Sequence, residues 1–110
     1  GRRPPIASEK AKLKVADLEL DLYSRLAIRG GAVIELLPRE FALLELLMRN
    51  EGRILTKTML LERIWNFNFD PQSTVVETHI SRLRAKIDKP FNVPLLHNTR
   101  NTGYSIHGHR

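Results

Sequence analysis

Residues 74–88 read TVVETHISRLRAKID, and this stretch decides the fold class of the chain. Aliphatic residues recur in it every three or four positions, which predicts one apolar stripe along a helix: Val76, Ile80, Leu83 and Ile87. The opposite side carries short side chains with one arginine next to them: Thr74, Thr78, Ser81, Ala85 and Arg82. We therefore predict a helix from about Gln72 to Asp88 that packs its stripe on the core and leaves its other side uncovered.

Two helical segments precede this one. Pro38 suits the first position of a helix and Gly52 suits the stop after Glu51, so we predict a helix between them. Its apolar residues lie nearly all round, which predicts the most buried helix of the domain: Phe41, Leu43, Leu44, Leu46, Leu47 and Met48. Thr56 can cap the next helix, which turns four residues inward: Leu60, Leu61, Ile64 and Trp65.

Strand patterns occupy both ends of the chain. Alternating apolar and polar residues from Leu13 to Leu22 predict strands, and Gly30-Gly31 marks a tight hairpin between two further segments, Arg25–Arg29 and Ala32–Leu36. Near the other end, two short strands flank a Thr-Arg-Asn-Thr-Gly turn: Pro94–His97 and Tyr104–His107. The predicted fold class is therefore α+β, with an N-terminal antiparallel sheet, three helices and a C-terminal β-hairpin.

Length and composition fit one compact domain of 110 residues. The chain has no cysteine and no apolar run long enough to span a membrane, which favours the cytoplasm. Residues 1–11 are basic and proline-rich without an apolar period, so we interpret them as a linker or tail ahead of a domain at 12–108. The net charge of +6 favours a polyanionic partner, either nucleic acid or an anionic membrane surface.

The outer side of the third helix favours nucleic acid. A helix with short side chains can enter the DNA major groove, which is about 12 Å wide, and Arg82 can donate to guanine O6 and N7. Three flanking cations are spaced to reach phosphates: His79, Arg84 and Lys86. The alternative is an ordinary solvated face, but such a face usually mixes Glu with Lys, whereas Glu77 and Asp88 stand near the helix ends.

Arg100 is the second indication. It lies in a turn among small polar residues, which suits the narrow minor groove of A·T-rich DNA, although it could also only decorate a surface turn. We interpret Tyr104 as a core anchor of the hairpin, because a single aromatic residue makes no stacking platform for bases.

Other function classes find less support in the residues. The histidines His79, His97, His107 and His109 have no nucleophile or carboxylate cluster with them, and there is no phosphate-binding glycine loop, so we predict no enzyme, cofactor or metal site. His107 and His109 could bind a metal weakly, but their terminal position favours a simple tail. A protein-interaction module would more often expose Trp, Tyr or Leu on the third helix, and an RNA reader would display stacking aromatics.

Six motifs occur in a fixed order between Leu13 and Ile106: Asp17–Asp21 (DLELD), Leu37–Leu47 (LPREFALLELL), Gly52–Thr56 (GRILT), Ile64-Trp65, Val75–Asp88 (VVETHISRLRAKID) and Gly103-Tyr104. In this order the chain resembles the OmpR/PhoB family of winged-helix effector domains from two-component response regulators. The resemblance implies a winged helix-turn-helix with an N-terminal four-stranded antiparallel sheet, three helices and a C-terminal hairpin wing. It also implies sequence-specific binding of duplex DNA in the regulation of transcription.

The resemblance implies roles for individual residues. Base readout falls on Thr74, Thr78 and Arg82, and phosphate contacts fall on His79 and Arg84. We add two residues to the phosphate set: Lys86, from its place on the flank of the helix, and Ser81, which stands where some members carry Arg and so suggests one fewer contact than in those members. The wing at the minor groove contains Asn98, Thr99, Arg100 and Asn101, of which the two asparagines depart from the usual wing residues. A loop matches the segment that touches RNA polymerase in some members: Asn66, Phe67, Asn68, Phe69 and Asp70. Phe67 and Phe69 could equally fill the core.

The family also implies partners. Two copies are expected to bind head-to-tail on direct repeats of double-stranded DNA, while the isolated domain is expected to be monomeric. Members normally carry a receiver domain with a phosphorylatable aspartate, and nothing in this chain has the length or pattern of one, so we interpret the chain as the effector half. The alternative is a winged-helix protein-interaction module that contacts RNA polymerase or a receiver domain.

Overall fold

The computed structural model describes residues 11–65 and 74–108. Four strands lie in the first third of the chain: β1 Lys12–Val15, β2 Leu18–Asp21, β3 Leu26–Arg29 and β4 Ala32–Ile34. They form one antiparallel sheet in the order β1-β2-β3-β4, which confirms the predicted four-stranded sheet. Gly30 and Gly31 turn between β3 and β4 with φ of 59° and 84°, the left-handed region that this tight hairpin requires.

One face of this sheet is buried and the other faces solvent. The register aligns Leu13, Leu20, Ala27 and Ile34 in one inner row. Because side chains alternate along a strand, the neighbouring outer row starts with Lys14 paired to Glu19 and ends on an exposed residue, Val33. The sheet therefore shields one side of the core and presents a polar and mixed outer face.

Three helices follow: α1 Pro38–Arg49, α2 Lys57–Ile64 and α3 Thr74–Ile87. α1 contacts the sheet, both other helices and the C-terminal hairpin, so the prediction that it is covered on more than one side is confirmed. It ends at Arg49, two residues before the predicted Glu51. In the part of the chain that the structure describes, no helix has the length and apolarity to cross a membrane.

The start of α2 and the buried face of α3 follow from their sequences. The Thr56 hydroxyl accepts a hydrogen bond from the Met59 N–H at 3.1 Å, which confirms the predicted cap of α2. All four stripe residues of α3 are buried: Val76, Ile80, Leu83 and Ile87. Residues 66–73 lie outside the described part of the chain, and with them the predicted helix start at Gln72 and the loop residues Asn66, Phe67, Asn68, Phe69 and Asp70.

A hairpin closes the domain: β5 Leu96–Thr99 and β6 Gly103–Ile106. The hairpin itself was predicted, but its strand bounds were wrong by one or two residues. The Thr102 N–H donates to the Thr99 carbonyl at 3.0 Å, so strand pairing continues to Thr99 and only three residues remain in the turn. The predicted first residue of the hairpin, Pro94, lies before the paired strand.

The hairpin is held to the segment before α2 by an isolated β-bridge between Leu55 and Tyr104. Leu55 and Tyr104 exchange two backbone hydrogen bonds, of 2.7 and 2.9 Å. Their chains approach so closely that a Cβ on Gly103 would stand 2.1 Å from the Leu55 carbonyl oxygen, so only glycine fits there. Tyr104 is buried, which confirms its interpretation as the core anchor of the hairpin.

A buried ion-pair cluster joins the C-terminus of α3 to the entrance of the hairpin. Arg29 is 1% exposed, and its Nη1 donates to Asp88 Oδ1 at 2.9 Å and to the Ile87 carbonyl at 2.6 Å. Asp88 in turn accepts the backbone N–H groups of Leu95 and Leu96, each at 3.0 Å. Asp88, treated above only as a charge near a helix end, therefore fixes where the hairpin leaves α3.

Candidate nucleic-acid interface

The outer crest of α3 is open to solvent. Its five residues are all exposed, and no described part of the chain lies over them: Thr74, Thr78, Ser81, Arg82 and Ala85. The opposite stripe packs on α1 and α2, so the crest projects away from the core. This is the arrangement predicted from the spacing of the residues, and it places Arg82 among side chains no longer than threonine.

His79, on one flank of α3, is half-buried and hydrogen-bonded. Its Nδ1 lies 2.9 Å from the Val75 carbonyl oxygen, and since a carbonyl only accepts, Nδ1 carries the proton. Its ring meets the Trp65 ring edge-on at 5.0 Å between centroids, and the Arg39 guanidinium lies over the same indole at 5.3 Å. His79 Nε2 can therefore donate to a phosphate only when the ring is a cation.

Lys86, near the end of the same helix, has an internal partner. Its ammonium donates to Glu40 Oε1 at 2.6 Å, and Glu40 is fully buried on α1. Burial alone would raise the pKa of Glu40, but the hydrogen bonds from Lys86 and from the Leu37 N–H, with the charges of Lys86 and His79, lower it overall. Lys86 is thus first of all the counter-ion of a buried carboxylate, and its predicted phosphate contact stays a prediction.

Arg84 lies between α3 and the hairpin. It is half-buried, and its Nη2 donates a long hydrogen bond of 3.4 Å to the Leu96 carbonyl. A hydrogen bond of this length is weak, so little holds the guanidinium in place. Among the described residues, the Leu96 carbonyl is its only hydrogen-bond acceptor, so most of the Arg84 donors are available to another acceptor.

The turn of the hairpin raises Arg100 into solvent. Asn98, Arg100 and Asn101 are exposed and Thr99 is half-buried. Asn101 takes φ of 60°, the left-handed conformation that asparagine tolerates better than most residues, so the predicted turn forms despite the departure from the usual wing residue. The structure therefore brings all four predicted wing residues together at one tip.

The sequence reasoning missed a groove between the hairpin and the helices. Lys57 of α2 and Glu77 of α3 form an ion pair in it, 39% and 50% exposed. The groove has a volume of about 430 Å³ and also contains hydroxyl and amide groups of α2 and of the hairpin turn. The pairing joins residues 20 positions apart, so only the fold brings them together.

Two of the histidines near the C-terminus contact each other. His97 and His107 stack with centroids 3.9 Å apart, and His109 lies outside the described residues. Across residues 11–65 and 74–108, no three His, Cys, Asp or Glu side chains come together as a possible metal site.

A helical core with an uncovered third helix, flanked by an N-terminal sheet and a C-terminal hairpin, defines the winged-helix class. Residues 31–106 match the family model described as transcriptional regulatory protein, C terminal. The chain is 47% identical over 100 residues to the transcriptional activator protein IrlR of Burkholderia pseudomallei, an alignment that covers 91% of this chain and 44% of IrlR. The chain thus spans less than half the length of this relative.

Two solved structures resemble the fold closely. The response regulator DrrB, a Thermotoga maritima OmpR/PhoB homologue, superposes with a TM-score of 0.79 at 29% identity, over 89% of this chain and 45% of DrrB. The Klebsiella pneumoniae RstA DNA-binding domain in complex with the RstA box superposes with a TM-score of 0.78 at 28% identity, over 89% of this chain and 98% of that domain. The chain belongs to the OmpR/PhoB-type family of winged-helix, DNA-binding effector domains of transcriptional regulators.

Proposed function

We propose that this domain binds duplex DNA with sequence specificity as the effector domain of a two-component response regulator, with α3 in the major groove and the hairpin at the adjacent minor groove. The observation that carries the proposal is the uncovered crest of α3, on which short side chains surround Arg82. The complex of the RstA DNA-binding domain with its box supports it, because that domain shares the fold over nearly its whole length.

Base readout is assigned to the crest. Short side chains let the α3 backbone approach the bases, and the methyl groups of Thr74 and Thr78 suit the thymine C5-methyl group. Arg82 has no described partner and has its guanidinium available for a bidentate contact with guanine O6 and N7. Such a contact contributes about 1–3 kcal/mol of discrimination against other bases.

Phosphate contacts are assigned to the flanks of α3 and to Ser81 on its crest. Ser81 is exposed and offers its hydroxyl directly. Arg84 has spare donors, and His79 requires its cationic form. Lys86 has three N–H donors, so its ammonium can stay hydrogen-bonded to Glu40 with one N–H and bind a phosphate with another.

The hairpin is assigned to the minor groove. Arg100 is the cation that a narrow A·T-rich groove attracts, and Asn98, Thr99 and Asn101 supply neutral polar groups beside it. Phosphate and groove contacts of this kind fix the position of the domain on DNA more than they select a sequence.

The remaining partners are proposed at the level of the family. We place two copies head-to-tail on direct repeats, with the isolated domain monomeric, and we place the regulatory phosphorylation on a receiver domain outside this sequence. Residues 66–70 are proposed as an RNA polymerase contact, and the domain is assigned to the cytoplasm with no catalytic activity.

A salt titration of duplex binding tests the proposal. The logarithm of the association constant should fall with the logarithm of salt concentration by about 0.9 per neutralised phosphate, for about four or five phosphates. The duplex comes from selection on a random pool, which also reports whether the preferred sites are direct repeats.

Arg82→Ala tests the base-reading role in the same assay. The preference for the selected site over a scrambled one should drop by about tenfold or more, because a bidentate base contact is lost. Lys14→Ala, on the outer face of the sheet, removes the same charge and should leave the preference intact. An unchanged preference in Arg82→Ala would show that the crest does not read bases.

A further inference from the structure

The groove between the hairpin and the helices lies on the side of the domain where the proposed docking brings the DNA backbone. The proposed function places α3 in the major groove and the hairpin in the adjacent minor groove, and these two grooves are separated by one sugar-phosphate strand. We therefore expect that strand to pass along the groove of about 430 Å³ that the hairpin forms with the first residues of α2 and with Glu77 of α3. All of its lining residues except Gly103 carry a polar group on the side chain: Thr56, Lys57, Thr58, Glu77, Asn98, Thr99, Arg100, Asn101, Thr102, Gly103 and Tyr104.

Most of this lining suits a phosphate. Hydroxyl groups from Thr56 and Thr58 and the cation of Lys57 stand on the α2 side, and the Arg100 turn stands opposite. Hydroxyls, amides and ammonium groups are the usual donors to backbone phosphates. Glu77 is the exception, because a carboxylate in this groove faces an anionic strand.

Glu77 is neutralised by Lys57 in the free domain. The Lys57 ammonium donates a hydrogen bond to the Glu77 carboxylate, and this hydrogen bond raises the pKa of Lys57. The pair is partly exposed, at 39% and 50%, so water and salt weaken it. An exposed ion pair shifts an equilibrium by about fivefold at most, which a phosphate can outcompete.

We propose that Lys57 is a phosphate ligand of this groove and that Glu77 competes with the phosphate for it, so that the pair limits affinity for DNA of every sequence. The inference rests on the proposed docking of α3 and the hairpin. Glu77 then lowers affinity for selected and scrambled duplexes by the same factor, so the ratio of the two affinities, which the contacts of Arg82 set, stays unchanged.

Three variants test this assignment: Glu77→Gln, Lys57→Gln and the double variant. Glu77→Gln should tighten binding to both selected and scrambled duplexes by about two- to fivefold, because Lys57 no longer has a competing acceptor. Lys57→Gln should reduce the salt slope by about 0.9, since one phosphate contact is lost. The double variant should show the same reduced salt slope as Lys57→Gln alone.

Glu45→Gln is the matched control. It removes the same charge and frees Arg49 from an exposed ion pair on α1, away from the groove. Binding by Glu45→Gln should equal that of the unchanged domain. Thermal unfolding of each variant verifies that the fold is kept.

Two results would overturn the inference. Equal affinities for Glu77→Gln and Glu45→Gln would show that Glu77 does not compete with DNA. A double variant with the slope and affinity of the unchanged domain would show that Lys57 only neutralises Glu77 and joins α2 to α3. In both cases the unchanged domain still binds DNA, whereas a domain without salt-dependent duplex binding would refute the proposed function itself and the inference with it.

Discussion

Arg29 and Arg82 show how differently this domain uses the same side chain. Arg29 is buried under the C-terminus of α3, where Asp88, Asp17 and two backbone carbonyls accept its hydrogen bonds. Arg82 stands on the exposed crest of the same helix, with no partner among the described residues. Arg29, with acceptors around it, fixes the position of α3. Arg82, without them, is available to DNA. The net charge of the chain distinguishes neither role.

Removing a partner of the buried Arg29 should have the largest effect on stability. Asp88→Asn removes the buried carboxylate partner of Arg29 and leaves it only the exposed carboxylate of Asp17, so the free energy of unfolding should fall by about 3 kcal/mol, the lower end of the range for a broken buried pair. Since small domains have about 5–15 kcal/mol in total, urea denaturation should show a much earlier transition. Glu45→Gln breaks an exposed pair instead and should cost less than about 1 kcal/mol. Equal losses in the two variants would mean that the Asp88 pair does not hold the domain together.

The second buried pair should give a smaller, pH-dependent effect. Glu40→Gln removes the charge that Lys86 binds and should cost about 1.5–3 kcal/mol at neutral pH. The folded pKa of Glu40 lies below its ordinary value of 4.5, so the unfolded chain binds this proton more readily. The stabilisation is therefore complete above about pH 4.5 and is lost as pH falls through the lowered pKa.

Urea denaturation between about pH 3 and pH 7 measures this. Glu40→Gln should lose less stability on acidification than the unchanged domain, while Glu62→Gln, an exposed site on α2, should follow the unchanged domain. Parallel acid profiles for Glu40→Gln and the unchanged domain would contradict the role given to this carboxylate.

The exposed crest of α3 around Arg82 was predictable from the local spacing of residues. The stripe from Val76 to Ile87 has the period of one helix face, so the opposite crest with Arg82 followed directly. Gly30-Gly31 identified its hairpin because only glycine takes both turn positions at no steric cost. Both signals depend on residues close together in sequence.

The buried charges were harder to predict from the sequence, although their positions in the pattern indicated that they are buried. Glu40 shares the helical spacing of Leu43 and Leu44. Arg29 stands two positions after Ala27 and so shares the inner face of β3 with it; both charges could therefore have been placed inside. Their partners could not, because Arg29 meets Asp88 across 59 positions and Glu40 meets Lys86 across 46. A local pattern can indicate that a charge is buried, but only the assembled fold shows what neutralises it.

Backbone amide shifts on adding the selected duplex test the central claim most directly. We expect the largest changes on the crest of α3, from Thr74 to Arg82, and in the Arg100 turn, with almost none on the outer face of the sheet around Lys14 and Val33. Changes concentrated on that sheet face, with the α3 crest unaffected, would contradict the account.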